Sequence, residues 1–402
     1  MSKRVLLIAR AYYPSTFAGS HRVAKFAKYL PKFGWTPVVL TADWNAENSS
    51  GCYDAGLAAQ PDVCKVVRVP YQVPRSRSPA SVLLHLTELI WPYEAPFRFT
   101  RDMLNAAEAL GAREPFDVIW STFASGLAHY VADRVSRKYG LPWVADFRDL
   151  PDQASDSWSA RRAVKAETQV CVSARALTVT CRPQADKLAS RHRAPVSVIP
   201  NGFDPEDYPP AGATRSDLFT VAYFGILYAY RDPVPLFAAL DLLADKGDID
   251  PNDVRVRFYG SNAGFIQSRL AGHRCGRMVE CCPRVPVNEM LRLEQAAVVL
   301  LLLKSPEAGG SVPSKLFEYM AAGRPILNVP GDGDVVDAIL GETRAGLSAA
   351  QPADIARVLK LWYDEWKRAG WVAGKGIPDK VALYSREVQA RQLAEILDSL
   401  ST

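Results

Sequence analysis

The sequence predicts an α/β protein of two domains, each organised around a parallel β-sheet. The length of 402 residues corresponds to two domains of roughly 150 residues or more each. Short apolar runs alternate with longer segments of helical periodicity, as they do where helices join parallel strands. Hydrophobic residues make up 48% of the chain and charged residues 23%, which is the composition of a globular protein. The chain can therefore bury two cores of ordinary size.

Charge and cysteine content narrow the class of protein. The formal net charge of +5 suits anionic substrates or an anionic membrane face, but is too small for a nucleic-acid-binding surface. No stretch approaches the roughly 20 apolar residues of a membrane span. The seven cysteines are irregularly spaced, which indicates reduced thiols without zinc-site spacing. We therefore expect a cytoplasmic protein with no bound metal.

Strand-like apolar runs mark both domains. Those of the first domain are Val5–Ala9, Pro37–Thr41, Val63–Val69, Val118–Ser121 and Trp143–Asp146. Phe219–Phe224 opens the second domain, after a Pro- and Gly-containing linker at 209–217. No Gly-x-Gly-x-x-Gly follows any of these strands, so the fingerprint of dinucleotide-dependent hydride transfer is missing.

The first strand leads into a loop, Tyr12–Ser20, and then into an amphipathic helix, His21–Leu30. Gly19 and Ser20 stand at the predicted start of this helix. The amide groups of a helix first turn have no partners within the helix and can bind an anion. The same two residues also suit a plain turn and N-cap. The sequence leaves both interpretations open.

Residues 72–110 are the least regular part of the first domain. Arginines and aromatic residues are mixed between 75 and 101, around an apolar helical segment. Such a mixture suits peripheral contact with the inner face of a membrane, because aromatic rings and arginines both favour the headgroup region. It also suits an insertion packed on the domain surface, and we favour this second interpretation.

The segment from Ser305 to Leu327 contains the residue types of a phosphate- and ribose-binding site. A strand runs into a glycine-containing loop and then into a helix that Gly323 ends. The candidate donor-binding residues of this loop are Gly309, Gly310, Ser311 and Ser314. Lys315 adds a positive charge at the helix start, and Glu318 shares its helix face and can accept hydroxyl hydrogen bonds. From spacing alone, a buried helix with a solvated Lys–Glu pair remains an alternative.

The stretch SKLFEYMAAGRPIL resembles the second half of the Glu-x7-Glu signature of family 4 glycosyltransferases of the GT-B fold. Glu318 matches the second glutamate, which holds the nucleotide ribose in that family. The first glutamate would fall at Gly310 and is absent here. The form PSKLFEYMAAGRP resembles a branch common among bacterial polysaccharide transferases, in which glycine amides take over donor contacts.

The resemblance also implies acceptor-side residues in the first domain. The loop at Gly19 and Ser20 is similar to a glycine-containing loop that faces the donor phosphates and the acceptor. The stretch FRDLP, with Arg148 and Asp149, resembles one beside the acceptor where other members carry a histidine. His129 is a further acceptor-side candidate, although a single helical histidine is more often a core or surface residue.

In the second domain, the resemblance implies a diphosphate site after the first strand. The family pattern Gly-Arg-Leu-x-x-x-Lys-Gly has two basic residues that bind the diphosphate. This chain keeps the glycine as Gly225 and one basic residue as Arg231, whereas Ile226 stands where the other basic residue is expected. Lys315 would then carry more of the donor's negative charge. A surface charge at a helix start is the alternative for Arg231.

The fold implied by the resemblance is GT-B, with two Rossmann-like α/β domains facing across a deep interdomain cleft. The expected domains are an acceptor-binding domain at 1–208 and a nucleotide-sugar-binding domain at 209–385. A C-terminal helix at 386–402 is expected to cross back to the first domain.

The implied function is retaining, metal-independent transfer of a sugar from a nucleotide-diphosphate sugar to a hydroxyl acceptor, in polysaccharide or glycoconjugate biosynthesis. The acceptor is a carbohydrate, a lipid-linked molecule or a small molecule, and no cofactor is expected. Lys315, Arg231 and Asp149 are the catalytic candidates. Because the first glutamate and one basic residue are missing, a non-catalytic GT-B partner protein stays open as an alternative. A nucleotide-sugar 2-epimerase is a second alternative.

Overall fold

The computed structural model describes residues 2–45, 53–71, 97–123, 126–152, 157–208, 215–228, 230–305, 310–331 and 333–401. The chain divides into two compact units. The first contains Met1–Asn201 together with Arg386–Thr402, and the second is Gly202–Ser385. Residues 202–208, which the sequence analysis assigns to the first domain, thus belong to the second unit. Most of the linker predicted at 209–217, and all of segment 72–96, lie outside the described residues.

The described residues of the first unit form a seven-stranded sheet in which every strand pair is parallel. The strand order is β3-β2-β1-β4-β5-β6-β7. The strands are β1 (Lys3–Ile8), β2 (Trp35–Asp43), β3 (Lys65–Pro70), β4 (Val118–Phe123), β5 (Trp143–Phe147), β6 (Ala176–Val179) and β7 (Val196–Val198). The five strands predicted for this domain are confirmed, with ends that differ by up to two residues. Their nearly continuous apolar runs reflect a sheet covered on both faces.

Helices cover both faces of this sheet. They are α1 (Ala18–Tyr29), α2 (Ala55–Ala58), α3 (Phe97–Arg113), α4 (Leu127–Tyr139), α5 (Trp158–Val170) and α6 (Arg182–Arg191). Since α1 already begins at Ala18, the loop predicted to reach Ser20 is three residues shorter. The residues 97–101 of the predicted surface insertion form the first turn of α3.

A buried ion pair connects α1 to β5 in the core of the first unit. Arg22 donates from Nε and Nη2 to the two carboxylate oxygens of Asp146, at 3.0 and 2.7 Å. Both side chains are fully buried. Thr122 and Thr178 donate hydroxyl hydrogen bonds to the same carboxylate, and Arg22 also donates to the carbonyl oxygen of Pro200. This network compensates the burial of both charges.

The second unit contains a six-stranded parallel sheet of order β10-β9-β8-β11-β12-β13 in the described part of the chain. The strands are β8 (Phe219–Phe224), β9 (Val254–Tyr259), β10 (Val279–Cys282), β11 (Val299–Leu303), β12 (Ile326–Val329) and β13 (Gly346–Ser348). Phe219–Phe224 is confirmed as the first strand. The strand order reverses direction between β8 and β11. Open α/β sheets bind ligands at the carboxyl ends of strands beside such a reversal.

The helices of the second unit are α7 (Val234–Asp245), α8 (Ala263–Leu270), α9 (Val287–Ala296), α10 (Ser314–Ala322), α11 (Val335–Thr343), α12 (Pro352–Ala369) and α13 (Pro378–Ala382). Helix α10 is the helix predicted from the sequence. It ends at Gly323, whose φ of +70° lies in the left-handed region that glycine tolerates.

The last helix, α14 (Arg386–Leu400), belongs to the first unit although the second unit precedes it in sequence. Its apolar face carries Leu393 and Leu397, which lie in one buried cluster with Val23 and Phe26 of α1. The expected return of the C-terminal helix to the first domain is therefore present. No helix among the described residues combines the length and apolar character that a membrane span requires.

Candidate functional site

The sheet of the second unit brings two predicted loops together. The loop after β8 carries Gly225 and Arg231, and the loop after β11 leads to α10 with Lys315 and Glu318. Because β8 and β11 are neighbouring parallel strands, both loops leave the same edge of the sheet where the strand order reverses. Gly309 lies outside the described residues, so its predicted donor contact stays a prediction.

Lys315 lies between two carboxylates in the first turn of α10. Its Nζ is 2.5 Å from Oε2 of Glu318 and 3.3 Å from Oε1 of Glu294 in α9. The sulfur of Met290 is 3.1 Å from the same nitrogen. Burial by itself lowers the pKa of Lys315, but the two carboxylates outweigh burial and raise the pKa above that of an ordinary lysine. Lys315 is therefore a permanent cation.

Glu294 is the unexpected member of this group. Its side chain is fully buried, whereas 27% of the Glu318 side chain is exposed. Burial raises the pKa of Glu294 to about 7; the charge of Glu318 acts in the same direction, and Lys315 opposes it. Tyr208 donates its hydroxyl to the backbone oxygen of Glu318 at 2.9 Å and lies 3.3 Å from Oε2 of Glu294. Two acids thus share one lysine.

A tyrosine fixes α10 against the end of β8. The hydroxyl of Tyr319 is fully buried and accepts a hydrogen bond of 3.0 Å from the backbone amide of Phe224. Gly225 follows at a φ of +127°, which a residue with a side chain would adopt only with strain. Its carbonyl oxygen accepts a hydrogen bond of 2.8 Å from Ser261. The hydrogen bond from Phe224 thereby fixes helix α10 to the end of the strand from which the Gly225 loop leaves.

Arg231 lies beside a pair of stacked tyrosines. The rings of Tyr228 and Tyr230 are 5.3 Å apart with an angle of 6° between their planes, and both are about half exposed. The guanidinium carbon of Arg231 lies 5.7 and 5.8 Å from the two ring centres, within the range of cation–π interaction. Nη1 of Arg231 donates to the hydroxyl of Tyr223 at 3.3 Å.

The positive charges of Arg231 and Lys315 both affect the hydroxyl group of Tyr223. Burial raises the pKa of Tyr223, and the positive charges of Arg231 and Lys315 both lower it. The structure thus brings together the two cations that the sequence analysis selected from separate segments. Their joint field would favour an anion at this edge of the sheet.

The backbone amide of Gly310 is occupied by a side chain. It donates a 2.6 Å hydrogen bond to Oδ2 of Asp334, at the N-cap position of α11. The side chain of Asp334 does not cap the first turn of its own helix, although aspartate is a favoured N-cap. Instead Asp337 accepts from the amide of Gly333 at 2.8 Å and from Ser348. The carboxylate of Asp334 thus accepts a hydrogen bond from the backbone at Gly310, the position that corresponds to the first glutamate of the family signature.

In the first unit, Gly19 and Arg148 are close neighbours. A Cβ atom on Gly19 would lie 3.0 Å from the guanidinium carbon of Arg148, so the absence of a side chain lets the guanidinium approach the start of α1. Nε of Arg148 is 3.5 Å from the carbonyl oxygen of Phe123 at the end of β4. Burial lowers the pKa of Arg148, and the neighbouring Asp149 acts against this. Asp149 itself is exposed.

Two acceptor-side candidates are buried in the first unit. His129 is buried, with 2% exposure, and its Nδ1 is 2.8 Å from the hydroxyl of Ser121. Burial lowers its pKa to about 3, so the imidazole is neutral and part of an aromatic core with Trp143 and Phe147. Ser20 is fully buried within the first turn of α1. Both side chains are therefore shielded from solvent, and an acceptor role for either stays a prediction.

Comparison with known proteins agrees with this arrangement. Residues 18–202 match the sequence profile of the glycosyl transferase 4-like domain. Over 99% of this chain, the fold is similar to that of sucrose-phosphate synthase from Thermosynechococcus elongatus, with 99% of that chain covered, 16% identity and a TM-score of 0.67. The chain therefore has the GT-B fold, and its residues 18–202 match a glycosyltransferase domain.

Two further structures share this fold. Anabaena HepE in complex with UDP and glucose has a TM-score of 0.69 at 16% identity, over 99% of this chain and 100% of that one. WaaG, a glycosyltransferase involved in lipopolysaccharide biosynthesis, has a TM-score of 0.57 at 13% identity, over 99% and 97% of the two chains. No curated protein matches this chain in sequence.

Several residues of the candidate site were not found from the sequence. Glu294 is one: it follows Leu291 by three residues, so both lie on the buried face of α9. An acidic residue on the buried face of a helix can be recognised in a sequence, but the residue that it contacts cannot. Tyr208 and Asp334 lie in segments that read as turns, and their contacts join parts of the chain far apart in sequence.

Among the residues that the structure describes, no group of three or more His, Cys, Asp or Glu side chains is arranged to hold a metal ion. His273, near the cysteines of β10, bonds to Asp241 through Nδ1 at 2.8 Å. Lys315, Arg231 and the amides at the start of α10 are candidate anion-binding groups.

Proposed function

We propose that this protein is a glycosyltransferase that moves a sugar from a nucleotide-diphosphate sugar to a hydroxyl acceptor, with retention of anomeric configuration and without a metal ion. In the transfer, the bond between the anomeric carbon and the diphosphate oxygen breaks, a bond to the acceptor oxygen forms, and the acceptor hydroxyl loses its proton. The observation that carries the proposal is the convergence of Lys315, Arg231 and the start of α10 on one sheet edge.

Stabilisation of the leaving diphosphate is the central requirement of this reaction. A helix N-terminus contributes unsatisfied amides and a partial positive charge, and Lys315 and Arg231 contribute full charges. One preorganised donor of this kind is worth about 3 kcal/mol in the transition state. Several of them together would supply the stabilisation that other enzymes obtain from a metal ion.

Glu318 would bind the ribose of the donor. Its Oε2 contacts Lys315, and its side chain is partly exposed beside the start of α10. A carboxylate can accept hydrogen bonds from two neighbouring hydroxyl groups. The sequence resemblance assigns the same role to this glutamate, and HepE, which shares the fold, was solved in complex with UDP-glucose.

The acceptor side of the proposal rests on the first unit. Arg148 and Asp149 follow the carboxyl end of β5, and Gly19 lets the Arg148 guanidinium approach α1. These residues would bind and orient a hydroxyl acceptor in polysaccharide or glycoconjugate biosynthesis. Asp149 is the candidate to receive the acceptor proton, because its carboxylate is exposed.

A nucleotide screen tests the proposal. The thermal transition of the protein is measured with UDP, GDP, dTDP and CMP, because a ligand that binds the folded state raises the transition temperature. We expect one of the diphosphates to raise it, and we expect Glu318→Ala to lose most of that response. The responding nucleotide then selects the donors for mass spectrometry of the products.

A non-catalytic partner protein is the second candidate, since Gly310 and Ile226 replace two functional residues of the family pattern. It would give no thermal response to any of the four nucleotides, and this result would contradict the proposal. Epimerised sugar after incubation with donor alone would instead indicate a nucleotide-sugar epimerase.

A further inference from the structure

The pairing of Lys315 with two acids raises a problem of charge balance. Lys315 carries one positive charge, while Glu294 and Glu318 together carry two negative charges when both are ionised. A diphosphate at the start of α10 would bring further negative charge to the same lysine. Like charges gathered around one cation disfavour the ionised form of the most buried acid. That acid is Glu294, whose side chain is fully buried.

The surroundings of Glu294 supply only one cation in the described structure. Lys315 and Glu318 face it from α10, and the buried Tyr319 of the same helix faces it as well. Tyr208 approaches from the segment before β8, with its hydroxyl 3.3 Å from Oε2. Burial raises the pKa of Tyr208 well above its ordinary value, so this phenol is neutral. It can donate a hydrogen bond to Glu294, but it cannot balance the charge of that carboxylate.

The geometry points to Glu294 as a proton-linked positioning residue: it shares the Lys315 ammonium with Glu318, and it takes up a proton from solvent when the donor diphosphate binds at Lys315. This inference rests on the proposed function, because it requires that a diphosphate binds there. No covalent bond changes in this step. One proton enters, and one unit of negative charge is removed from Glu294.

Proton uptake would serve the function of the site in a direct way. While Glu294 is ionised, its oxygen competes with the phosphate for the Lys315 ammonium. Once protonated, Glu294 is a weaker acceptor and the ammonium can turn its hydrogen bonds to the incoming phosphate. Glu318 is partly exposed and would remain an acceptor for the ribose. The diphosphate would thus replace the Glu294 carboxylate as the partner of Lys315. The protonated Glu294 would then carry no charge that needs a counter-ion.

The pKa of about 7 sets the conditions under which the uptake is measurable. At pH 7.5 such a carboxyl is about three-quarters ionised, and a rise of one pKa unit would leave about one quarter ionised. The expected uptake from Glu294 is therefore about half a proton or more for each diphosphate bound. Binding should consequently weaken as the pH rises through this range.

The experiment is calorimetric titration of the full chain with UDP, GDP and dTDP at pH 7.5, in two buffers of different ionisation enthalpy. The difference between the buffers gives the number of protons taken up. Glu294→Gln removes the titrating group and keeps a side chain of the same shape. Glu289→Gln is the matched control, because it removes an exposed acid from the same helix. Protons bound by the nucleotide itself are the same for all three proteins.

We expect the wild type and Glu289→Gln to take up about half a proton more than Glu294→Gln. Equal uptake in all three proteins would overturn the inference while leaving the proposed function intact. If no diphosphate binds the wild type, the proposed function fails first, and the inference fails with it.

A second measurement covers the case in which Glu294→Gln does not fold. The carboxyl carbons of the wild type, labelled with 13C at glutamate, are titrated by NMR with and without the diphosphate that binds. A carboxyl that titrates near pH 7 and moves to higher pH with the diphosphate supports the inference. Glutamates that all titrate at ordinary values, or do not move, contradict it.

Discussion

At the scale of single residues, the site depends on how Lys315 is held. The sequence places a lysine and a glutamate on one face of a helix, which is as consistent with a solvated surface pair as with a binding site. The structure adds Glu294 beneath that pair and encloses the ammonium between acids on two helices. Lys315 is consequently both the proposed diphosphate ligand and the counter-ion of a buried acid.

Lys315→Ala is expected to abolish turnover and also to reduce stability. Without the ammonium, Glu294 remains buried and unpaired, and it must take a proton at neutral pH. We expect the free energy of unfolding to fall by about 2 to 3 kcal/mol. This is a small loss for a broken buried ion pair, because the acid can become neutral by taking up a proton. Turnover with the donor identified by the screen and urea unfolding measure the two effects.

The double variant Lys315→Ala with Glu294→Gln separates the two roles of the lysine. Removing the buried acid should restore most of the lost stability, whereas turnover should stay absent. A kcat close to that of the wild type in the single variant would contradict the catalytic role of Lys315.

The sequence suggested Lys315 and Glu318 from a local pattern beside a strand end and Arg231 from the family resemblance, and their roles stay predictions. It could not identify Glu294 as a partner of Lys315. Which helix packs against α10 depends on the three-dimensional arrangement of the sheet, and the spacing within α9 does not encode it. For a related reason the sequence did not show that His129, although near a strand end, is buried in the core.

At the scale of elements, the loop before α10 is held by a contact from another loop. Asp334 of the loop after β12 binds the amide of Gly310, which has a φ of +70°. The sequence predicted the limits of α10 from Gly323, but it gave no sign that the N-cap residue of α11 would serve a different segment.

Asp334→Ala is expected to loosen the loop at Gly310 without unfolding α11, because Asp334 makes no side-chain cap to that helix. The Gly310 amide would lose its acceptor, so its hydrogen exchange should become faster. Exchange of the peptide that contains Gly310, followed by mass spectrometry, measures this. Asp334→Asn keeps an acceptor oxygen and should lie between the wild type and the alanine variant. Unchanged exchange in Asp334→Ala would show that the loop is held by other contacts.

At the scale of the whole molecule, the two parallel sheets were predictable because alternating apolar and amphipathic segments specify them along the entire chain. Their internal polar network was not. Asp146 ends a strand-like run and was not distinguished from its neighbours, yet it binds Arg22 and two threonines inside the first unit. Such a network is visible only once distant segments are packed together.

Asp146→Asn is expected to destabilise the first unit by about 3 to 5 kcal/mol, since the guanidinium of Arg22 would stay buried without its counter-ion. Urea unfolding of the full chain measures the loss. Lys360→Ala removes a partly exposed ion pair with Asp364 and should change stability by less than about 0.5 kcal/mol. A similar small change in both variants would show that the buried pair contributes little.

Because α14 returns to the first unit, the second unit lies between two parts of the first unit in the sequence. The second unit is an insert, and its ends lie side by side: Phe203 pairs with Ser385, and its amide donates to the carbonyl oxygen of Tyr384 at 3.2 Å. Residues 202–385 can therefore be treated as a cassette with adjacent ends. A short linker in its place would join residue 201 to residue 386, and the cassette itself could be exchanged for one with another donor preference.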